Sequence, residues 1–312
     1  MVKLNNKRIK YIIVQSISGK KKTKDLAEIY KITPRHIRKL IKKYKDTGIY
    51  PILMKNRRPK TELSEEDKQL IDMSVKESLL TGAVSLRLYI EEYYNKKLPY
   101  NKIHKYLLLK GVSKEEDKKK KQRKHCRYER KHSFSLVHSD WHDSRAVTEK
   151  YVCVILDDAS RLIICGGEYD DEKAEHVIKL MKKSIKIVQN DYLSTIREVN
   201  TDKGAQFYCN KNTKEGVRGR VEFEKYLEKK GINHIPSRRN HPQTNGKNER
   251  WFRTYEEKRD KFKSFEDFVD WYNNRLHLGL SRKKAMIPKR VVFNRLQKTS
   301  VVGLFWRLME ND

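Results

Sequence analysis

A chain of 312 residues that is 36% charged and 37% hydrophobic, with a formal net charge of +31, is long enough for two or three small domains. So large an excess of one sign repels itself and points to an anionic polymer as partner. No run of about 18 apolar residues exists to span a bilayer. The basic start (Lys3, Lys7, Arg8, Lys10) leads into only a short apolar run, unlike a signal peptide; a soluble, cytoplasmic, nucleoid-associated protein is expected.

Residues 1–60 form a first region. Over 1–58 it holds 18 Lys and Arg against three acids, Asp25, Glu28 and Asp46. Leu26, Ile29 and Tyr30 recur at helical spacing after Thr23, and Ile37, Leu40, Ile41 and Tyr44 do so after a break at 31–33. Thr33 suits an N-cap, Pro34 the first helical position and Gly48 a stop. Helix, tight turn and basic helix is the layout of a helix-turn-helix whose second helix enters the major groove with Arg35, His36, Arg38 and Lys39. A plain helical hairpin with a solvated basic face would leave the same pattern; the charge excess favours DNA.

Residues 61–112 open with the acid-rich helix start Ser64-Glu65-Glu66-Asp67. Apolar stripes follow at 70–75, 86–93 and 103–107, with a turn at Pro99 and Asn101. This reads as a second helix-turn-helix-like domain presenting Asn101, Lys102 and Lys105, or as a simple three-helix packing domain. Residues 113–133 are a charge-dense linker able to lie along phosphates; a solvated charge run is the plainer alternative.

From Phe134 the pattern turns to α/β and continues to about 295, leaving 296–312 as a tail. Strands are expected at 151–156, 162–166, 196–201 and 232–237, and helices at 171–192, 221–230 and from about 244 past Tyr255. That alternation predicts a central mixed sheet. Cys126, Cys153, Cys165 and Cys209 form no CxxC pair, so neither a zinc ribbon nor a redox dithiol is indicated; Cys153 and Cys165 sit in apolar runs and read as buried small hydrophobes.

Three acids fall at suggestive places: Asp140 in an expected first strand, Asp202 closing a later one and Glu249 early on a helix. Carboxylates are the hard ligands that Mg²⁺ and Mn²⁺ select, and two such ions can serve both sides of a phosphodiester exchange. Around these acids the sequence resembles the insertion-sequence DDE transposases, which share the retroviral-integrase catalytic core. Thr201-Asp-Lys-Gly-Ala-Gln-Phe207 resembles that family's Asp-Asn-Gly-x-x-Phe block, and His241-Pro-Gln-Thr-Asn-Gly-Lys-Asn-Glu-Arg250 its His-Pro-x-x-Asn-Gly-x-x-Glu-Arg block. Tyr272-Asn-Asn-Arg-Leu-His277 with Pro288 resembles its last block, and Asp157-Asp-Ala-Ser-Arg161 its second-strand turn. The resemblance implies a ribonuclease-H-like mixed sheet behind an all-α helix-turn-helix region, with two Mg²⁺ (or Mn²⁺) ions held by Asp140, Asp202 and Glu249. It implies binding to double-stranded DNA at element ends and target, hydrolysis that frees a 3′-hydroxyl, strand transfer, and a homodimer or larger assembly on DNA. A non-cutting regulator or domesticated relic is the alternative, and a purely hydrolytic metal-dependent nuclease a further one.

Two departures stand out. Leu276 occupies the place of a usual Pro, and 46 residues lie between Asp202 and Glu249, more than the family usually has. The extra length is assigned to Tyr208–Arg220, read as a polar surface loop. The zinc-binding amino-terminal module of retroviral integrases is not visible. Of the neighbouring groups, Asp143 competes with Asp140 for the ligand role, while Asp157 and Asp158 read as turn residues. His138, His142 and His241 suit either substrate phosphate or ordinary hydrogen bonding. Arg253, one turn beyond Glu249, is assigned to DNA or to orienting that carboxylate, and Trp251, Phe252 and Tyr255 to the core.

Overall fold

The computed structural model describes residues 4–53, 62–113, 128–211, 218–237 and 246–309. They fall into two compact units, Met1–Glu62 and Leu63–Asp312.

The first unit holds α1 (Asn6–Ile17), α2 (Thr23–Tyr30) and α3 (Pro34–Thr47). Ile9, Ile12 and Ile13 of α1, Leu26 and Ala27 of α2, and Ile37 and Leu40 of α3 make its core. The turn between α2 and α3 closes because Lys31 adopts the left-handed conformation (φ 49°), so that the N–H of Ile32 reaches the carbonyl of Ala27 at 3.0 Å. Thr33 Oγ1 accepts the N–H of His36 at 3.2 Å, Pro34 opens α3, and Gly48 ends it at φ 66°. Burying Ile37 and Leu40 leaves Arg35, His36, Arg38 and Lys39 exposed. The sequence reading did not identify α1; its Tyr11–Val14 run stood out only as too short for a signal peptide.

The second unit begins with α4 (Glu65–Ser78), α5 (Ala83–Tyr94) and α6 (Tyr100–Leu109). Ser64 and Asp67 cap α4 reciprocally, as the acid-rich start suggests. These helices bury Ile71, Leu86, Ile90, Ile103 and Leu107 together with Leu276 and Ile287 from the far end of the chain. Asn101 and Lys105 are exposed and Lys102 is half-buried.

Five strands follow among the described residues: β1 (Val137–Ser144), β2 (Lys150–Asp157), β3 (Ile163–Tyr169), β4 (Glu198–Thr201) and β5 (Asn233–Pro236). Their order is β3-β2-β1-β4-β5, with β2 antiparallel to both neighbours and β1, β4 and β5 parallel. This is the mixed sheet expected of a ribonuclease-H-like fold. Connections between parallel strands need crossovers, here α7 (Ala174–Tyr192) from β3 and α8 (Glu222–Lys229) from β4. β2 is apolar at every inner position because both faces are covered. Cys153 and Ile155 pack with α7 and α8. Val152, Val154 and Leu156 pack with α9 (Gly246–Lys258) and α10 (Phe265–Asn274). α11 (Pro288–Asn294) and α12 (Val301–Met309) are the last elements of the described residues. Trp251, Phe252 and Tyr255 bury their rings on α10 and the sheet, each contributing roughly 1.5–3 kcal/mol relative to exposure. That packing fixes the rotation of α9 and hence where Glu249 emerges.

The long interval before Glu249 is less loose than its composition suggests. Residues 212–217 lie outside the described part, but Arg218 beside them makes a two-pronged ion pair with Glu224 (2.8 and 3.1 Å), donates to the carbonyl of Cys209 at 3.1 Å and stacks over Tyr208. Glu224 is 7% exposed and also accepts the N–H of Val221. Arg218→Ala strands this carboxylate, and a loss of roughly 1–3 kcal/mol is expected in denaturant unfolding. A midpoint unchanged from wild type would return the whole segment to the solvated-loop description.

Candidate active site

Side-chain alternation along β1 separates the two candidate aspartates. Val137 and Trp141 face α7 and α8, whereas His142 stacks on Phe252 of α9 with ring centres 4.7 Å apart. Asp140 shares its side with His138 and His142; Asp143 shares the other with Trp141 and is exposed. Parallel pairing matches Val137 to Val199 and His138 to Asn200. Continued by two residues, it brings Asp202, just past the end of β4, level with Asp140. The two lie on one side, since His138 Nδ1 and Asn200 Oδ1 meet at 3.1 Å. Asp202 Oδ1 accepts the N–H of Gly204 at 2.9 Å, which holds the chain in a turn as it leaves the strand. Glu249 stands exposed in the first turn of α9.

The electrostatics link these groups. Burial pushes the Asp140 carboxyl up to about 7; the charge of Asp202 raises it next, the N–H of Trp141 opposes, and Glu249 and Glu172 raise it further. A half-buried acid that feels three other carboxylates is a place where positive charge is stabilised, and its oxygen donors suit a hard divalent cation. Among the described residues no three His, Cys, Asp or Glu side chains close around a common metal position. The carboxylates are neighbours in field rather than a finished coordination shell. Glu172, whose pKa is raised by burial and then by Asp202 and Asp143, is an acid of this neighbourhood that the sequence reading did not select.

The sequence reading also missed a buried polar network beneath the acids. Asp158 is fully buried and accepts the N–H of Arg130 at 2.6 Å, pairs with His138 Nε2 at 2.6 Å and takes the ammonium of Lys247. Burial works to raise its pKa, but the His138 hydrogen bond and the charge of Lys247 hold it below the ordinary carboxylate range. Lys247, in the first turn of α9, is lowered to about 8 by burial and then by Arg161, with Asp158 opposing. Asp157 is the last residue of β2 rather than a turn residue, and it holds the turn that follows: it accepts the N–H of Phe134 at 2.7 Å and both the N–H and Oγ–H of Ser160. Of the histidines, His138 belongs to the network and His142 Nε2 lies 2.9 Å from Glu256; His241 lies outside the described residues. Cys153 and Cys165 are free and buried.

A family model for the integrase core domain matches residues 130–242, which include Asp140 and Asp202 and stop short of Glu249. Over 140 residues the chain is 31% identical to a protein described as putative integrase ORF3 of Spiroplasma virus SpV1-C74, a stretch that makes up 43% of this chain and 38% of that protein. Among solved structures, the catalytic core domain of BIV integrase aligns over 57% of this chain and 99% of its own length, at 15% identity and a TM-score of 0.37. Residues 130–242 of the chain thus resemble an integrase core domain. No helix among the described residues is long and apolar enough to cross a membrane.

Proposed function

We propose that this protein is a DNA transposase: it binds the ends of a mobile element, hydrolyses a phosphodiester to free a 3′-hydroxyl and joins that end to target DNA. The observation that carries the reading is the level placement of Asp140 on β1 and Asp202 just past the end of its parallel neighbour β4, with the fields of Asp202 and Glu249 felt at Asp140. Asp140, Asp202 and Glu249 would hold Mg²⁺ or Mn²⁺, whose chemistry when bound is to polarise the phosphate and stabilise the charge developing on attacking and leaving oxygens. The protein's own part is positional. The β1–β4 pairing sets the distance between the aspartates, and the aromatic face of α9 sets Glu249. The +31 charge supplies a field that draws in a polyanion.

The decisive experiment uses duplex oligonucleotides that carry the inverted repeats flanking the gene, incubated with the full chain and Mg²⁺. Specific 3′ nicking followed by joining to a second duplex is the expected result. Nicking without joining would make the protein a nuclease, and end-binding without nicking a non-cutting regulator. Two DNA ends must meet for joining, so a dimer or larger assembly on DNA belongs to the same reading.

In this reading α3 enters the major groove, with Arg35, His36, Arg38 and Lys39 at its start, and Asn101, Lys102, Lys105 and Arg253 add contacts. Affinity should then fall steeply with salt, by a log–log slope of about −0.9 per neutralised phosphate. Arg35→Ala or Arg38→Ala should cost about 1–3 kcal/mol on the end sequence and less on random duplex, as read by competition binding. Equal losses on both DNAs would restrict these side chains to phosphate contact.

A further inference from the structure

A cleft of about 220 Å³ opens beside α9, on the side bounded by the turn between α4 and α5 and by the segment that follows α10. Its volume is several times the roughly 30 Å³ of a water molecule. Arg250, Arg253, Lys258 and Arg275 line it, against the single carboxylate of Glu257. The start of α5 also lines it, where Gly82 is the N-cap and no side chain caps the helix. A helix N-terminus adds partial positive charge and N–H donors.

His277 is the second, independent sign of a ligand. It is 6% exposed, and its Nδ1 has no hydrogen-bond partner. Its Nε2 lies 3.1 Å from Tyr272 Oη. A tyrosine hydroxyl donating to Nε2 leaves the proton on Nδ1. That nitrogen lies toward Gly279, where a Cβ would come within 2.9 Å of it, and both residues line the cleft. Gly279 thus keeps the space before the imidazole open. A buried donor without an acceptor is destabilising, and Arg275 Nε nearby is also buried and unpaired. Burial, then Arg275, Arg161 and Arg250, hold His277 well below its ordinary pKa, so the imidazole serves as a neutral donor. The crowded cations and the lone donor all gain from one entering anion, and guanidinium groups suit the planar two-point contact of a phosphate.

We propose that this cleft binds one phosphodiester group of the DNA on which the integrase-like core acts, a site that rests on the transposase reading for its ligand but not for its anion chemistry. Since α9 carries both Glu249 and the cleft residues Arg250 and Arg253, a strand seated there would be held by the same helix that presents the carboxylate.

The test uses the full chain and the exposed pair Arg250→Gln/Arg253→Gln. Inorganic phosphate, titrated against chloride at constant ionic strength, should shift the His277 imidazole resonance in wild type and not in the pair. Duplex binding by the pair should show a log–log salt slope shallower by about 1, as for one lost phosphate, while a Lys183→Gln/Lys186→Gln control on α7 should keep the wild-type slope. No phosphate-induced shift overturns the site. A shift with an unchanged slope, or an equal drop in the control, overturns the assignment to DNA and leaves a site for free phosphate. If wild type binds no duplex at all, the transposase reading fails, and the phosphate titration still decides the cleft.

Discussion

Asp140→Asn, Asp202→Asn and Glu249→Gln are each expected to lower Mg²⁺-dependent cleavage by at least about 10³-fold while duplex binding stays within twofold of wild type. The loss corresponds to roughly 4 kcal/mol of transition-state stabilisation, the scale of a metal-ion contribution at 1.36 kcal/mol per tenfold. An amide keeps the volume and loses the charge that holds the cation. The same charge gives a second readout. With its pKa raised to about 7, Asp140 favours folding when protonated, at pH below its ordinary value, and that contribution is lost as pH rises through 7. Metal-free Asp140→Asn should therefore melt above metal-free wild type at pH 8, and Mg²⁺ or Mn²⁺ should raise the melting temperature of wild type but not of the variant. Substantial Mg²⁺-dependent cleavage by any of the three would remove that residue from the site.

What the sequence made legible was local. The N-cap at Thr33, the stop at Gly48 and the reciprocal cap at Ser64 and Asp67 all lie within a few residues of their partners. β2 was readable because burial on both faces leaves an unbroken apolar run. The short strands were placed less well at their ends: β4 begins at Glu198 rather than Ile196, and α7 at Ala174 after an extended Lys173. α1 escaped because Ile9, Ile12 and Ile13 sit among lysines in a region read for its charge. Asp158 does lie in the turn after β2, as read, but its burial was hidden because its partners Arg130, His138 and Lys247 lie 28, 20 and 89 residues away, and nothing in the local pattern joins them. The anchoring of Arg218 on Glu224 was hidden by the polar composition around it, which fits a solvated loop equally well. Asp140 was preferred over Asp143 by resemblance alone; that the two lie on opposite faces of β1, with Asp140 on the side of Asp202, appears only when β1, β4 and α9 are together.

Asp158→Ala should be among the most damaging substitutions outside the three acids. The side chain is fully buried, and it answers a buried histidine, a backbone N–H and an ammonium at once. Removing one member of a buried charged pair leaves the other uncompensated, at a cost of about 3–5 kcal/mol. For a unit of this size that is a fall of roughly 6–20 °C in melting temperature. Asp158→Asn keeps the shape and an acceptor but not the charge, so Lys247 would shed its proton more readily than at its present value of about 8. Asp158→Asn/Lys247→Met should accordingly recover part of the stability lost by Asp158→Asn alone, a coupling that a double-mutant cycle reads directly. The sign with pH follows from the depressed Asp158 pKa: its contribution is present above the ordinary carboxylate pKa and is lost as pH falls through the folded value. Lys247 precedes Glu249 by two residues in the first turn of α9, so its tie to the turn after β2 fixes the start of the helix that carries the third acid. Lys247→Met should thus weaken cleavage more than it weakens duplex binding. A melting temperature for Asp158→Ala within about 2 °C of wild type, less than 1 kcal/mol on the same scale, would show that the aromatic packing of Trp251, Phe252 and Tyr255 alone holds α9 in place.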